Sequence, residues 1–174
     1  MPFFRKMIRF SVWVPVCALV LLASCSRDVA GQAGSNSTGA EALSKVAIEI
    51  ASGDQLHRFM VEIADTDELR QIGLMYRTEM ASDHGMLFFF DYPHKASMWM
   101  QNTYISLDML FIDHRGIVRS IAQDTVPQTT AHIRSAGPVS AVLELNAGIS
   151  AQLGLKPGDR VVHPFFNTES GRPQ

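Results

Sequence analysis

Apolar and polar residues follow a strand-like pattern along most of the chain beyond residue 45. The segments VAIEI (46–50) and HRFMVEIA (57–64) alternate or run apolar, and SGDQ between them is typical of a turn, so the pattern predicts a β-hairpin. Further strands are predicted at GMLFFF (85–90), ASMWMQNT (96–103), DMLFID (108–113), GIVRSIAQ (116–123), AVLELNAG (141–148) and RVVHPF (160–165). We therefore expect about eight short strands.

Two short segments have helical spacing instead. Between the second and third predicted strands, Leu69 and Ile72 lie three residues apart on one helical face. Either Asp65 or Thr66 can cap the N-terminus of this helix. The segment ISAQLGL (149–155) predicts one further helical turn.

The predicted strands follow one another without long helical connections. The HRG segment before Ile117 suits a tight hairpin in which Gly116 adopts positive φ, and Pro157-Gly158 suits a β-turn. Short connections of this kind favour antiparallel pairing. The predicted fold class for residues 45–166 is mainly β, a single antiparallel β-sandwich or partly closed barrel with one or two short helices.

The N-terminus has the organisation of an export signal. Arg5, Lys6 and Arg9 form a basic segment, and residues 10–23 are almost entirely apolar. The apolar run is shorter than the about 20 residues that a membrane-spanning helix needs. We interpret residues 1–24 as a signal peptide.

The end of this signal, Leu22-Ala23-Ser24-Cys25, resembles the lipobox of bacterial lipoproteins. The resemblance implies diacylglyceryl transfer to the Cys25 thiol, cleavage before Cys25 and acylation of its new amine. The predicted location is therefore the cell envelope, facing the periplasm, with the membrane as a partner through the lipid anchor at Cys25. In a Gram-negative host, Ser26 favours the outer membrane.

Composition and charge narrow the class of protein further. Residues 25–44 are rich in Gly, Ser, Asn and Ala and predict a flexible tether, and residues 167–174 form a polar tail. Cys17 leaves with the signal peptide, so Cys25 alone remains, and we expect neither an internal disulfide nor a Cys-based metal site. Removing the three basic residues of the signal changes the formal charge from −2 to −5. This charge argues against nucleic acid as a partner.

Several short motifs occur together in residues 59–162. They are Gly-Leu-Met-aromatic-Arg (73–77), Gly-Met-Leu-Phe (85–88), Trp-Met-x-Asn-Thr (99–103), Leu-Asp (107–108), Phe-Ile-Asp (111–113) and GLKPGD (154–159). In combination they closely resemble the domain-of-unknown-function family 192, a prokaryotic family whose members are often exported. The resemblance implies a jelly-roll-like β-sandwich and no established activity. Members usually carry lysine where this chain has Gln101, so a cationic role at that position is not carried over.

Methionine and histidine offer one candidate chemistry, a copper site. Cu(I) favours thioether ligands, Met98 and Met100 share a face of their predicted strand, and Met86, His84 and His94 are near in sequence. Methionine is also a common filler of irregular cores, and these methionines lie in strongly apolar segments. We therefore favour core packing and predict no metal and no cofactor.

Two acidic residues offer a second candidate chemistry. Asp108 and Glu144 each interrupt an apolar pattern, and a buried acid is costly unless it is paired. Structural and functional roles are both open for them. The enzymatic alternative is an acid–base pair of Asp108 and Glu144 acting on an envelope polymer. The chain has no Gly-x-Ser-x-Gly elbow, and we assign no catalytic residue.

Trp99 in the segment MWMQNT is the third candidate. In a regular strand Trp99 shares a face with Gln101 and Thr103, which suits a wet surface and would make Trp99 a stacking platform for a flat ligand. Alternatively, Trp99 covers the end of the barrel while Asn102 bonds the backbone of the following turn. We favour this second interpretation, because buried tryptophan commonly supplies core area.

The leading hypothesis is a lipid-anchored envelope protein that acts as a binding module for a small molecule, a polymer or a protein. The chain is more typical of a non-enzymatic protein, because it combines an export signal, a tether and a packed β domain without a recognisable catalytic set. The predicted ligand-binding residues are Trp99, Asn102, Thr103, Asp108 and Glu144.

Overall fold

The computed structural model describes residues 43–166. The predicted signal peptide (1–24), the tether apart from residues 43 and 44, and the polar tail (167–174) lie outside the described residues. Within residues 43–166 the elements are β1 (Lys45–Ser52), β2 (Gln55–Ala64), α1 (Asp67–Ile72), β3 (His84–Met98), β4 (Leu107–Ile112), β5 (Val118–Ala122), β6 (Ile133–Asn146), α2 (Ile149–Gln152), β7 (Arg160–Val162) and a 3-10 turn (Pro164–Phe166). The prediction of a mainly β fold with one or two short helices is confirmed, and the helices number two within the described residues.

All the described strands belong to one sheet, in the order β5-β4-β6-β3-β2-β1-β7. Neighbouring strands are antiparallel except for β2 and β3, which are parallel because α1 and the segment after it carry the chain back to the same end of the sheet. The two edges also meet: Ile117, just before β5, forms a bridge with Arg160 of β7, and the Val161 N–H donates to the Gly116 carbonyl (2.8 Å). The sheet is therefore curled.

The curled sheet buries a hydrophobic core on each face. The inner-face core takes residues from all seven described strands, including Ile50, Phe59, Leu87, Leu143 and Leu110. The outer-face core includes Met86, Phe88, Val142, Met109 and Phe111, and is covered by Leu74 and Met100 from the connecting segments. Side chains alternate between these faces along each strand. This two-sided burial explains why the central strands have nearly continuous apolar sequences.

The β3 strand differs from its prediction. The segments 85–90 and 96–103 were expected as two strands, but they are parts of a single strand of 15 residues. Its register against β6 shifts between Phe89 and His94, where the chain is exposed and bent. The exposed residues at this irregularity interrupt the apolar pattern, and this is why the sequence predicted two strands instead of one.

The end of β3 corrects the predicted strand at MWMQNT. The strand stops at Met98, and Asn102 has a left-handed backbone (φ 56°) inside a turn in which the Thr103 N–H donates to the Met100 carbonyl (3.1 Å). Trp99, Gln101 and Thr103 therefore do not share a wet face: Gln101 is exposed, whereas Thr103 is buried. Strand alternation cannot continue through a turn.

Most local signals gave the correct turns and caps. The hairpin of β1 and β2 is confirmed, and Thr66 caps α1 by accepting a bond from the Leu69 N–H (3.2 Å). Gly116 has φ 81° in the connection between β4 and β5, as expected. The last predicted strand is shorter than expected, because Pro164 begins a 3-10 turn. The first half of β6 was not predicted.

Gly85 in β3 tests how closely the strands are packed. An added Cβ at Gly85 would lie 2.5 Å from the Glu144 carbonyl oxygen, which is backbone and cannot yield easily, whereas one at Gly137 in β6 would meet nothing within 4 Å. We expect Gly85→Ala to lower the free energy of unfolding by about 1–3 kcal/mol in urea denaturation. Gly137→Ala is the matched control and should change it little. Equal effects of the two substitutions would contradict this packing.

Candidate functional site

A cavity of about 270 Å³ opens on the outer face of the sheet. The segment 70–75, from α1 into the loop after it, forms one wall, and the end of β3 with Trp99 forms another. About half of its accessible lining is apolar, and Ile72, Leu74, Met75, Phe88, Phe90 and Met98 contribute to this part. Its polar lining comes from Arg70, Gln71, Ser97, Thr103 and Glu144. A cleft that combines apolar walls with a few convergent polar groups is a form that small-molecule sites take.

Glu144 is the acidic group of this cavity. It lies on β6 opposite Met86 of β3 and Met109 of β4, and only 4% of its surface is exposed. Among the described residues its carboxyl group has no hydrogen-bond or ion-pair partner, and burial raises its pKa to about 8. At neutral pH the carboxyl group therefore keeps its proton, and it lines the cavity as a neutral acid.

Glu62 lies in the same row of the sheet and has a different environment. It is opposite Met86 in the β2–β3 register, so Met86 separates it from Glu144. Both Glu62 carboxylate oxygens accept bonds from the Arg77 guanidinium, and this pairing holds the pKa of Glu62 below its usual value. One buried acid of the row is thus neutralised by an arginine, and the other faces a cavity.

Asp108 lies on the opposite face of the sheet from Glu144. In the β4–β6 register it is opposite Leu145, which belongs to the inner-face core, whereas Glu144 is opposite Met109 of the outer-face core. The Asp108 carboxylate accepts bonds from the Asp124 N–H (3.0 Å) and from the N–H and hydroxyl of Ser150 (2.8 and 2.7 Å). The acid–base pair considered as an enzymatic alternative is wrong, because the two carboxyl groups face different sides.

Asn102 joins the loop after β3 to the segment after α1. Its carbonyl accepts a bond from the Tyr76 N–H (2.8 Å), and its Nδ2 donates to the Tyr76 hydroxyl (3.1 Å). Both residues have left-handed backbones, with φ 56° at Asn102 and 63° at Tyr76. The left-handed conformation is common for asparagine but unusual for a bulky residue such as tyrosine, and the bonds between the two residues help to hold it. We call this pair the Asn102–Tyr76 clamp.

Trp99 lies at the mouth of the cavity. Its side chain is 41% exposed and lines the cavity beside Ser97. The Ser97 hydroxyl is 3.0 Å from Nδ1 of His132, whose ring centre is 6.4 Å from that of Trp99. Trp99 therefore has an apolar surface that is accessible both to solvent and to an occupant of the cavity.

The predicted ligand-binding residues fall into three groups. Trp99, Thr103 and Glu144 line the cavity together. Asn102 does not line it but holds its wall through the Asn102–Tyr76 clamp. Asp108 is at a different place, on the inner-face side. Whether any of them binds a ligand stays a prediction.

The sequence did not identify the wall that α1 contributes. Arg70 lines the cavity, donates to the carbonyls of Asp65 (2.7 Å) and Phe89 (2.8 Å), and forms an ion pair with Asp67. Leu74, in the Gly-Leu-Met-aromatic-Arg motif, covers the outer-face core. The motif was visible in the sequence, but only the fold shows that it faces the MWMQNT loop.

The methionines considered for a copper site lie in the outer-face core or in the cavity lining. Met86, Met100 and Met109 are fully buried in the outer-face core, while Met75 and Met98 are half-buried and line the cavity. Residues 43–166 contain no cluster of three His, Cys, Asp or Glu side chains arranged to hold a metal ion. In the same part of the chain, no helix has the length and apolarity that crossing a bilayer requires.

The fold and site define a small, curled β domain with a cavity on its outer face. The family model DUF192, described as "Uncharacterized ACR", matches residues 48–163. The chain belongs to this family.

Two solved structures are similar to the chain. A proposed transcription regulator from Sinorhizobium meliloti 1021 is 45% identical, with a TM-score of 0.70, and the match covers 71% of this chain and 97% of that one. A protein of unknown function from Novosphingobium aromaticivorans DSM 12444 is 39% identical, with a TM-score of 0.69, and the match covers 71% and 89% of the two chains. No curated protein matches the chain.

The raised pKa of Glu144 predicts a loss of stability with rising pH. The folded protein holds this proton up to about pH 8, whereas the unfolded chain releases it near 4.5. Between these values the folded state binds more protons, so its free energy of unfolding falls as the pH rises, by up to about 1.4 kcal/mol per pH unit. Glu144→Gln removes this effect. Its stability relative to the parent protein should therefore grow between about pH 5 and about pH 8 in urea denaturation.

Glu62→Gln is the control, because it should change the pH dependence of stability in the opposite direction. The pKa of Glu62 is lowered by Arg77, so its ion pair contributes stability above the unfolded pKa that is lost as the pH falls. Glu62→Gln should be less stable than the parent at neutral pH, and this difference should shrink in acid. An unchanged difference between Glu144→Gln and the parent across the whole range would contradict the raised pKa.

Proposed function

We propose that this protein is a small-molecule binding module of the cell envelope, with the outer-face cavity as its binding site and a lipid anchor at Cys25. The observation that carries the binding role is the carboxyl group of Glu144, which lines the cavity and has no protein partner among the described residues. The proposal keeps Trp99 and Thr103 as binding residues and gives Asn102 a positioning role. Asp108 has a structural role, because its carboxylate accepts hydrogen bonds from Asp124 and Ser150.

The burial of the Glu144 carboxyl group without a hydrogen-bond partner in the described part of the chain supports a binding role. A buried polar group without a partner costs about 1–3 kcal/mol in typical proteins. In the same row of the sheet, Glu62 has an arginine partner, whereas Glu144, which is more deeply buried, has no charged partner within residues 43–166. A ligand that bonds to Glu144 would supply a partner that none of the described residues provides.

The export and anchoring part of the proposal rests on residues outside the described range. The basic segment, the apolar run and the lipobox-like ending at Cys25 support a lipoprotein signal. The formal charge of −5 after signal removal does not favour a nucleic-acid partner, so we do not extend the proposed role of the Sinorhizobium meliloti 1021 protein to this chain. The jelly-roll-like arrangement that the family resemblance implies stays a prediction, since the described strands form one continuous sheet.

The anchor predicts a specific effect of Cys25→Ala. When the full chain is expressed in a bacterial host with labelled palmitate, the parent protein should carry the label and fractionate with membranes, because acylation at Cys25 supplies several acyl chains. Cys25→Ala should lose the label, since the acceptor thiol is gone. Cys17→Ala, inside the predicted signal, is the matched control and should keep it. Equal labelling of the parent and Cys25→Ala would refute the anchor.

The binding role can be tested with Trp99 as the reporter. The chain has two tryptophans, and Trp13 lies in the predicted signal peptide. In the uncleaved full chain, Trp13→Phe leaves Trp99 as the single source of an indole N–H signal, as cleavage before Cys25 also would. A set of small cationic, neutral and anionic molecules is titrated against this full-length variant and followed by NMR. At least one class should shift the Trp99 signal in a saturable way. If no class does so, the cavity is not a small-molecule site.

Trp99→Ala measures how much the mouth of the cavity contributes. For a molecule found in that titration, the affinity should fall about tenfold by calorimetry, because a stacked aromatic surface contributes about 0.5–1.5 kcal/mol beyond area burial. Tyr92→Ala is the matched control, since Tyr92 is an exposed aromatic residue (70%) outside the cavity lining. A similar loss in both variants would show that Trp99 has no specific role.

A further inference from the structure

We propose that the occupant of the outer-face cavity is a small organic cation of the alkylammonium type, whose charged group lies against the Glu144 carboxylate and whose hydrocarbon part contacts Phe88, Phe90 and Trp99. This inference rests on the proposed binding function and names its ligand class. It follows from the charges, the walls and the free hydrogen-bonding groups of the cavity.

Among the ionisable side chains that line the cavity, Glu144 is the one without an oppositely charged partner in residues 43–166. Arg70 is the other charged residue of the lining, and its guanidinium is held by Asp67 (2.7 Å), with Asp91 at 3.9 Å. In the sheet row beneath the cavity, Glu62 and Arg77 neutralise each other. Burial alone raises the pKa of Glu144, with no charged group contributing. A bound cation would ionise Glu144 and leave the site neutral.

The walls suit the hydrocarbon part of such a cation. Phe88, Phe90 and Trp99 contribute aromatic rings, and Met75 and Met98 contribute polarisable thioethers. Aromatic faces attract ammonium groups by about 0.5–2 kcal/mol, most strongly where water is excluded. A volume of about 270 Å³ is small for a drug-sized ligand, so the occupant has few carbon atoms.

The polar groups of the lining do not favour an anion. The Ser97 hydroxyl is engaged with His132, the Thr103 hydroxyl donates to the Gln101 carbonyl (3.3 Å), and the N–H groups of Arg70 are largely occupied. A carboxylate ligand would also repel Glu144 or require it to stay protonated. A neutral alcohol could bond to the protonated acid, and it is the alternative that the experiment must separate.

The test compares three molecules of the same size: n-pentylamine, 1-pentanol and pentanoate. Each is titrated at about pH 7.5 against the full chain carrying Trp13→Phe, with the Trp99 indole signal as the readout. We expect n-pentylamine to bind at least about tenfold more tightly than 1-pentanol, and pentanoate not to bind, because only the ammonium group pairs with an ionised Glu144. Binding of 1-pentanol or pentanoate as tight as that of n-pentylamine overturns the inference and leaves the binding function standing. No shift with any of the three, or with the wider set, overturns both.

The pH dependence is the second arm. An alkylamine keeps its charge up to about pH 10, like lysine, while Glu144 ionises near pH 8. The affinity for n-pentylamine should therefore rise roughly tenfold per pH unit from about pH 6 and level off above about pH 8, because the cation binds the ionised carboxyl group. An affinity for 1-pentanol should not rise over this range. A flat profile for n-pentylamine overturns the inference.

Two variants measure separately what the Glu144 charge and the aromatic walls contribute to the affinity for n-pentylamine. Glu144→Gln keeps the size of the side chain but cannot ionise, so it should lose both the preference for n-pentylamine and its pH dependence. Phe90→Leu keeps an apolar wall but removes one aromatic face, and it should weaken n-pentylamine about two- to fivefold while leaving 1-pentanol nearly unchanged. Retention of the amine preference in Glu144→Gln overturns the inference. If Glu144→Gln does not fold, Phe90→Leu and the pH profile decide.

Discussion

The pairing of the central strand β6 with β3 on one side and β4 on the other determines how the rest of the domain is arranged. Because side chains alternate along a strand, this register directs Leu143 and Leu145 to the inner-face core and Val142 and Glu144 to the outer face. A shift of one residue would exchange the two sets. The same register that builds both cores therefore places one acidic side chain under the segment that follows α1.

The outer face holds two acidic side chains in one row of the sheet, and they differ in their partners and in how deeply they are buried. Glu62 is paired in both of its oxygens with Arg77, which the loop after α1 supplies. Glu144, two strands away, has a cavity where a partner would be. Glu62 is stabilised as a carboxylate by its ion pair, whereas Glu144 avoids the cost of an unpaired buried charge by keeping its proton at neutral pH. A strongly perturbed carboxyl group that borders a cavity is typical of a functional site.

The parts of this fold that local chemistry determines could be predicted from the sequence. Turn residues predicted the β1–β2 hairpin and the Gly116 connection, and Thr66 was one of two expected helix caps. The parallel pairing of β2 with β3 and the opposite faces of Asp108 and Glu144 depend on registers between distant segments, which no single segment encodes. The strand predicted through Trp99 failed because Asn102 adopts a left-handed turn that tertiary contacts with Tyr76 stabilise.

Hydrogen bonds between protein groups hold the walls of the cavity in place, so an occupant does not need to order them. The Asn102–Tyr76 clamp joins the two loops at its mouth, and the Met100 N–H donates to the Thr129 carbonyl (3.0 Å) beneath Trp99. On the other wall, Arg70 is fixed to the carbonyls of Asp65 and Phe89. Binding to a preformed site loses little free energy to ordering side chains and loops. The left-handed turn at Asn102 follows Trp99 directly, and Trp99 stays 41% exposed at the rim of the cavity, where its ring is accessible to an occupant.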